Sequence, residues 1–294
     1  MQHLFGVFLI IVSGISFGTL AIFTRLAYES GVTPITLLFL RFGIASLCMI
    51  FIMMVKKYPL PRGGILLGLA LMGGLGYVGQ AFCYVTALLY ASAGLVALLL
   101  YLYPALVTLL AVIVFKEPLS KLKILALLLA LIGTPFTIGP RMGGKLIGII
   151  LSVGAAFIYS VYIIIGSKIA RQGTAISSST VIIGSAAIVS GGLVAIQGPS
   201  FPATISGWMS IIGISLISTI LAIVTFLAGL ERVGPVTAST LSTIEPVVTV
   251  VLAAVILKET ITPVRIVGGM MILLAVILLA RGIRPVQDIG SAST

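Results

Sequence analysis

Charged residues are scarce in this chain and make up only 8% of its 294 residues. A soluble globular domain carries about 25% charged residues. Hydrophobic residues account for 60% of the sequence, and the mean hydropathy is +1.32. No soluble fold could bury this much apolar surface, so the sequence predicts an all-α integral membrane protein that has the lipid bilayer as its solvent.

Residues that usually carry catalysis or bind metals are also rare. The chain has six acidic residues, one histidine at the N-terminal end (His3) and two cysteines, Cys48 and Cys83, inside apolar runs. It lacks a GxxxxGK[ST] loop, which argues against an ATP-driven pump. We therefore expect no enzymatic activity, no catalytic residue, no metal site and no cofactor.

The basic residues are spread over short loops between apolar runs, although the net charge is +11. Nucleic-acid binding calls for basic residues clustered on one face, so we expect no nucleic-acid partner. Apolar runs of about 20 residues are long enough to cross a bilayer. Ten such spans are predicted, at residues 4–28, 34–55, 63–87, 92–114, 121–139, 145–168, 176–197, 207–230, 235–257 and 264–282.

The distribution of Lys and Arg predicts the orientation of these spans. With the N-terminus inside, eleven basic residues lie in inside loops and ends and five lie outside, while Arg41 falls within the second span and is not counted. Because inside loops are enriched in Lys and Arg, we expect both termini to be cytoplasmic.

The chain contains an internal repeat with a constant offset between matching positions. Pro104 corresponds to Pro246, and Lys116-Glu117 corresponds to Lys258-Glu259. The offset divides the chain into a first repeat at 1–142 and a second repeat at 143–294, each with five helices. An odd number of spans inverts the second repeat across the membrane, which is the arrangement that lets one site open to either side in turn.

An acid followed by a proline, Glu245-Pro246, lies near the middle of the ninth span. Acids inside membranes usually mark pathways, so Glu245 is predicted to bind a proton or a substrate amine. The alternatives are a structural acid held by neighbouring hydroxyls or paired with Arg41. Because proline lacks an N–H, the Ser242 carbonyl needs a substitute donor, and we expect Pro104 and Pro246 to act as hinges.

Polar side chains within the spans are candidates for a central cavity. Tyr77, Gln80 and Tyr84 share one helical face, and Tyr159 and Tyr162 share another. Tyr101 and Tyr103 flank the first proline, so an unbroken helix would direct them differently. The alternative for the tyrosines is interhelical bonding or an aromatic belt, and hydroxyls often bond back to a carbonyl one turn earlier. The substrate-binding candidates are Glu245, Tyr77, Gln80, Tyr84, Tyr101, Tyr103, Tyr159, Tyr162, Ser242 and Thr219.

Two long runs resemble the two copies of the EamA domain of the drug/metabolite transporter superfamily. They read GLGYVGQAFCYVTALLYASAGLVALLLYLYPALVTLLAVIVFKEPLS and LAIVTFLAGLERVGPVTASTLSTIEPVVTVVLAAVILKETIT. The resemblance covers the whole chain. It implies a bacterial inner-membrane carrier, often an exporter of amino acids or other small metabolites. It also implies a cavity lined by the first, third, fourth, sixth, eighth and ninth helices. Many members have Glu-Pro in both copies, whereas the first copy here reads Tyr103-Pro104.

These features favour a secondary transporter that exports a small metabolite, such as an amino acid, by alternating access. An organic-anion or nucleotide-sugar exchanger needs central basic residues, and Arg41 is the one available. A receptor or scaffold without transport is an alternative of another class. The expected partners are a small-molecule substrate and the lipid bilayer, with protons as a candidate coupling ion; the sequence leaves the oligomeric state open.

Overall fold

The computed structural model describes residues 2–116, 120–138, 144–169 and 175–282, and every regular element in these ranges is a helix. Two π-helical turns, Met72–Tyr77 and Leu216–Leu221, interrupt longer helices. The α-helices are α1 Gln2–Gly18, α2 Leu20–Tyr28, α3 Pro34–Val55, α4 Gly63–Leu71, α5 Val78–Ala87, α6 Ala93–Leu100, α7 Tyr103–Phe115, α8 Lys121–Ile138, α9 Leu146–Ile169, α10 Ala175–Gln197, α11 Ile205–Ser215, α12 Ala222–Leu241, α13 Ile244–Ile256 and α14 Pro263–Gly282.

Seven helices in the described ranges are long and apolar enough to cross a membrane. They are Gln2–Tyr28, Pro34–Val55, Gly63–Ala87, Ala93–Val114, Leu146–Ile165, Ile176–Gln197 and Ile205–Leu230. Two further apolar helices, Ile244–Ile256 and Pro263–Leu279, are shorter. The ninth predicted span is shorter than expected because its helix is broken just before Glu245. Many large apolar side chains are exposed, for example Ile188 at 77%, as expected for a surface that faces lipid.

Both predicted proline sites coincide with breaks in a helix. The first break is at Tyr101-Leu102, between α6 and α7, and the second is at Ser242-Thr243, between α12 and α13. Each proline follows within the first turn of the next helix, where proline is tolerated because that N–H has no partner within the helix. Broken helices of this kind are typical of transporter binding sites.

Other irregular features also recur at corresponding places in the two halves. Lys116 and Lys258, which match in the sequence repeat, both adopt left-handed backbone conformations, with φ of 52° and 55°. The two π-helical turns begin at Met72 and Leu216, and nearly the same offset separates them. The sequence repeat is therefore matched by a repeat in backbone geometry.

The contacts of α1 locate the reversal between the eighth and ninth predicted spans, which the sequence places at residues 231–234, in the stretch that belongs to α12. Helix α1 runs antiparallel to α12 and parallel to α13, so the chain reverses direction between Val233 and Ile244. The antiparallel packing is given by the contacts Gly6–Val233 and Ser13–Ala222, and the parallel packing by Gly14–Ile244 and Gly18–Val248.

Helix packing pairs the two halves in a symmetric way. Helix α3 packs on α10, α8 on α14, and α6 on α13. Helix α1 packs on α12, and the corresponding pair in the exchanged halves, α9 with α5, also packs together. Exchanging the halves converts the pairs α3–α10 and α8–α14 into themselves and the pair α1–α12 into α9–α5. The break before α7 and the break before α13 are brought together at the interface of the two halves.

Five connections between helices lie at the same end of the bundle. The Arg25 guanidinium donates to the Leu88 carbonyl at 2.6 Å, and the Lys145 amide donates to the Tyr90 carbonyl at 2.8 Å. Further hydrogen bonds join residues 30–31 to 200–203, and residues 92–94 to 259–265. All of these residues lie in or beside loops that the sequence predicts on the outer side.

Candidate functional site

The Tyr101 hydroxyl and the Glu245 carboxyl meet where the two broken helices face each other. The hydroxyl oxygen lies 2.8 Å from Glu245 Oε2 and 2.8 Å from the Ser242 carbonyl oxygen. The Ser242 carbonyl is the group that Pro246 deprives of its helical N–H donor. The Ser242 carbonyl accepts a 3.1 Å hydrogen bond from the Glu245 backbone N–H, and the Tyr101 hydroxyl from the other half of the chain is its second hydrogen-bond neighbour.

The number of protons constrains the ionisation of this cluster. A tyrosine hydroxyl has one proton, so it can donate either to Glu245 or to the Ser242 carbonyl. If Glu245 is protonated, its O–H donates to the Tyr101 oxygen, and the Tyr101 hydroxyl then donates to Ser242. Both 2.8 Å contacts are hydrogen bonds only in this second arrangement. An ionised Glu245 leaves one of the two oxygen–oxygen contacts without a proton.

A continuous series of aromatic rings extends from this cluster. Tyr101 and Tyr103 contact each other edge to face at 5.8 Å between ring centroids, although an unbroken helix would separate them. The break at Tyr101-Leu102 is the reason for this difference. The remaining contacts in the series are Tyr103–Tyr159 at 4.7 Å, Tyr159–Tyr162 at 6.0 Å, Tyr162–Tyr77 at 6.3 Å and Tyr77–Phe42 at 5.2 Å.

Several polar groups beside these rings make no hydrogen bond to any described residue. They are the hydroxyls of Tyr103, Tyr159 and Tyr162 and the side-chain amide of Gln80. The three tyrosines are half-buried, and Gln80 is 9% exposed. A polar group at membrane depth needs a partner, so these groups require water or a ligand. An aqueous cavity along the tyrosine series would supply such partners.

Arg41 lies at the opposite end of the series from Glu245. Its Nε donates to Thr219 Oγ1 at 3.0 Å, and its Nη2 donates to the Tyr77 hydroxyl at 3.2 Å. No acidic side chain among the described residues lies within ion-pairing distance of it. The pairing of Arg41 with Glu245 is therefore not present in this conformation. The Arg41 side chain does not reach the surface of the protein, because it is only 3% exposed.

The remaining candidates are placed as follows. Tyr84 is 5% exposed and belongs to the main hydrophobic core. The Ser242 hydroxyl bonds back to the Ala238 carbonyl at 2.9 Å, which is the structural role expected of hydroxyls in membrane helices. Thr219 bonds back to the Ile214 carbonyl at 2.9 Å while accepting from Arg41.

Glu259 has a role that the sequence did not reveal. Its carboxylate accepts hydrogen bonds from the backbone N–H groups of Ala93 at 2.7 Å and Gly94 at 3.2 Å. These are unpaired donors at the start of α6, and an acid there also complements the helix dipole. The sequence gives little indication of this cap, because α6 and the acid that caps it come from different halves of the chain. Its counterpart Glu117 lies outside the described residues.

Comparison with known proteins gives a consistent result. The model of the EamA-like transporter family matches residues 4–139 and 146–281. An uncharacterized transporter of Bacillus subtilis, YyaM, is 24% identical over 302 residues, which cover 97% of this chain and 96% of the relative. An uncharacterized transporter of Archaeoglobus fulgidus is 26% identical over 279 residues, covering 93% and 96%. A solved crystal structure is similar to this chain with a TM-score of 0.67, and the match covers 94% of this chain and 98% of the solved chain. The two sequences are 21% identical, so the similarity shows a shared fold.

Proposed function

The chain belongs to the EamA-like transporter family, and we propose that it is a secondary transporter that exports a small metabolite by alternating access. Membership in this family makes it a multi-pass membrane transporter, which disfavours the receptor or scaffold alternative. The substrate, the direction and the mechanism are part of the proposal. The proposed location is the bacterial inner membrane, with both termini in the cytoplasm.

The proposed topology has ten spans in two inverted repeats of five, at 1–142 and 143–294. Hydrogen bonds among loops of the predicted outer side support it, because an alternating path through the membrane brings these loops to one end. The pairing of α3 with α10 and of α8 with α14 supports a two-fold relation between the halves. An inverted two-fold relation gives one central site access to either side of the membrane.

The Glu245–Tyr101 contact is the observation that carries the proposal. It joins a carboxyl at a proline-broken helix to a hydroxyl 144 residues away in the other half. Any rocking of the halves against each other changes this contact, so the state of Glu245 depends on which side the cavity faces. The tyrosines with unpartnered hydroxyls supply the walls of the proposed cavity, and Pro104 and Pro246 supply its hinges.

The same contact supports a proton as the coupling ion. Both hydrogen bonds of Tyr101 form when Glu245 carries a proton. A substrate amine that binds to Glu245 needs the ionised carboxylate instead. Proton and amine therefore compete for one group, and such competition can couple the inward movement of a proton to the export of an amine-bearing metabolite.

Proteoliposomes that contain the purified protein test this proposal. A panel of labelled amines and amino acids is screened for uptake driven by an imposed pH gradient. For a transported compound, Glu245→Gln keeps the size of the side chain and should abolish both gradient-driven transport and its pH dependence. Tyr103→Phe is the matched control, because it removes a hydroxyl from the same wall and leaves the carboxyl in place. Normal, pH-dependent transport by Glu245→Gln would remove Glu245 from the mechanism.

A further inference from the structure

We propose that Arg41 is an anion subsite of the transport cavity and that it receives the carboxylate of the transported molecule. The proposal rests on the central cavity proposed above and adds a ligand class for its other end. Arg41 is only 3% exposed and has no acidic partner among the described residues. A charge at this depth normally pairs or faces a pathway.

The hydrogen bonds of Arg41 leave one edge of its guanidinium group available. An arginine has five N–H donors. Thr219 takes the one on Nε and Tyr77 takes one of the two on Nη2, so three remain without an acceptor among the described residues. These three lie on Nη1 and Nη2, the pair of nitrogens that binds a carboxylate through two parallel hydrogen bonds. The aromatic faces of Phe42 and Tyr77, 5.1 and 6.0 Å from Cζ, attract the cation but accept no such pair.

Both partners of Arg41 lie on irregular backbone, one in each half. Tyr77 ends the π-helical turn Met72–Tyr77, and Thr219 lies within the turn Leu216–Leu221. Single π-helical turns occur frequently at functional sites. Here they direct one hydroxyl from each half towards the same guanidinium group. Tyr77 is also the last tyrosine of the ring series that begins beside Glu245, so the anion subsite and the carboxyl line the same proposed cavity.

Three probes with the same apolar body and different head groups test the assignment. They are 3-phenylpropionate, 3-phenylpropanol and 3-phenylpropylamine, each titrated into detergent-purified protein at constant pH and ionic strength. A ligand that binds the native state raises the apparent melting temperature with concentration, which gives its affinity. We expect the carboxylate to bind at least about tenfold more tightly than the neutral alcohol, because only the carboxylate can accept two parallel, charge-assisted hydrogen bonds from the guanidinium group.

Arg41→Lys retains the charge but loses the paired donors, so it should weaken carboxylate binding by about tenfold while leaving amine binding unchanged. Arg25→Lys is the matched control, because that guanidinium donates to the Leu88 carbonyl in the structure. Three results would each overturn the proposal. One is a carboxylate that binds no better than the alcohol, and another is unchanged carboxylate binding in Arg41→Lys. The third is stabilisation through Arg41 by added phosphatidylglycerol but not by the carboxylate, which would identify a lipid phosphate as its partner.

The amine separates this proposal from the proposed function. If 3-phenylpropylamine binds and Glu245→Gln abolishes that binding, the proposed role of Glu245 is supported. This conclusion does not depend on how 3-phenylpropionate binds. If carboxylate binding depends on Arg41 but the amine is insensitive to Glu245→Gln, the anion subsite stands and the role of Glu245 fails. If 3-phenylpropionate binds no better than the alcohol and its binding does not depend on Arg41, the anion subsite is refuted, but the proposed function is not.

Discussion

Tyr101→Phe should destabilise the protein, and the loss should depend on the residue at position 246. In the wild type, the Tyr101 hydroxyl lies 2.8 Å from the Ser242 carbonyl, which accepts from the Glu245 N–H at 3.1 Å and lacks the N–H of residue 246 because that residue is proline. Interhelical hydrogen bonds in membranes contribute about 0.6 kcal/mol on average. A buried polar group left without its partner costs about 1–3 kcal/mol. We therefore expect Tyr101→Phe to cost about 1–2 kcal/mol in the wild-type background.

The same substitution should cost less in a Pro246→Ala background. Alanine restores an N–H at position 246, which can donate to the Ser242 carbonyl as in a regular helix. The carbonyl then has the N–H of residue 246 in addition to the Glu245 N–H when the phenol hydroxyl is removed, so the main loss is the contact of the phenol with the Glu245 carboxyl. The expected difference between the two backgrounds is about 1 kcal/mol, within the range typical for groups that share one hydrogen-bond network.

Equilibrium unfolding of the four proteins in mixed micelles, followed by helical circular dichroism, measures this difference. Tyr103→Phe serves as the control, because its hydroxyl has no partner among the described residues and its loss should stay within about 0.5 kcal/mol. Equal losses for Tyr101→Phe in the two backgrounds would refute the idea that this phenol replaces the missing helical donor.

Two further predictions concern motion and topology. Pro104→Ala should insert and fold normally, because it restores a helical hydrogen bond, but it should slow transport in proteoliposomes by stiffening the break before α7; a wild-type rate would make Pro104 a packing residue. Single cysteines at Ser120 and Thr262, in a background without Cys48 and Cys83, should react with an impermeant thiol reagent from opposite sides of the membrane, and labelling from one side would contradict the inverted repeat.

The sequence was sufficient where the physical constraint is local. Proline removes an N–H wherever it occurs, so the breaks near Pro104 and Pro246 and the need of the Ser242 carbonyl for a donor followed directly. The left-handed residues Lys116 and Lys258 also lie at corners that the repeat had located. The reversal that the contacts of α1 require between Val233 and Ile244 overlaps the connection predicted at residues 231–234.

The sequence was insufficient where the partner lies in the other half. Tyr101 was a candidate among several tyrosines, and its contact with Glu245 spans 144 residues. Arg41 is a candidate partner of Glu245 by sequence, but its actual partners, Tyr77 and Thr219, are 36 and 178 residues away. Periodicity assigns a residue to a face of its own helix, but it does not state which helix that face meets.

The divergence of the two repeats explains how one carboxyl can serve a two-fold arrangement. At the offset that matches Pro104 with Pro246, Glu245 corresponds to Tyr103, and Tyr101 corresponds to Thr243. A second carboxyl at position 103 would lie in the same tyrosine cluster, and two acids so close in an apolar site cannot readily both ionise. With tyrosine at position 103, Glu245 is the one carboxyl among the described residues of this cluster. When Glu245 is protonated, its O–H donates to the Tyr101 oxygen, and the Tyr101 hydroxyl donates to the Ser242 carbonyl at the helix break. In the proposed alternating-access cycle, movement of either half would change the hydrogen bonding of Glu245, so one proton on this carboxyl would be enough to distinguish the two orientations of the proposed cavity.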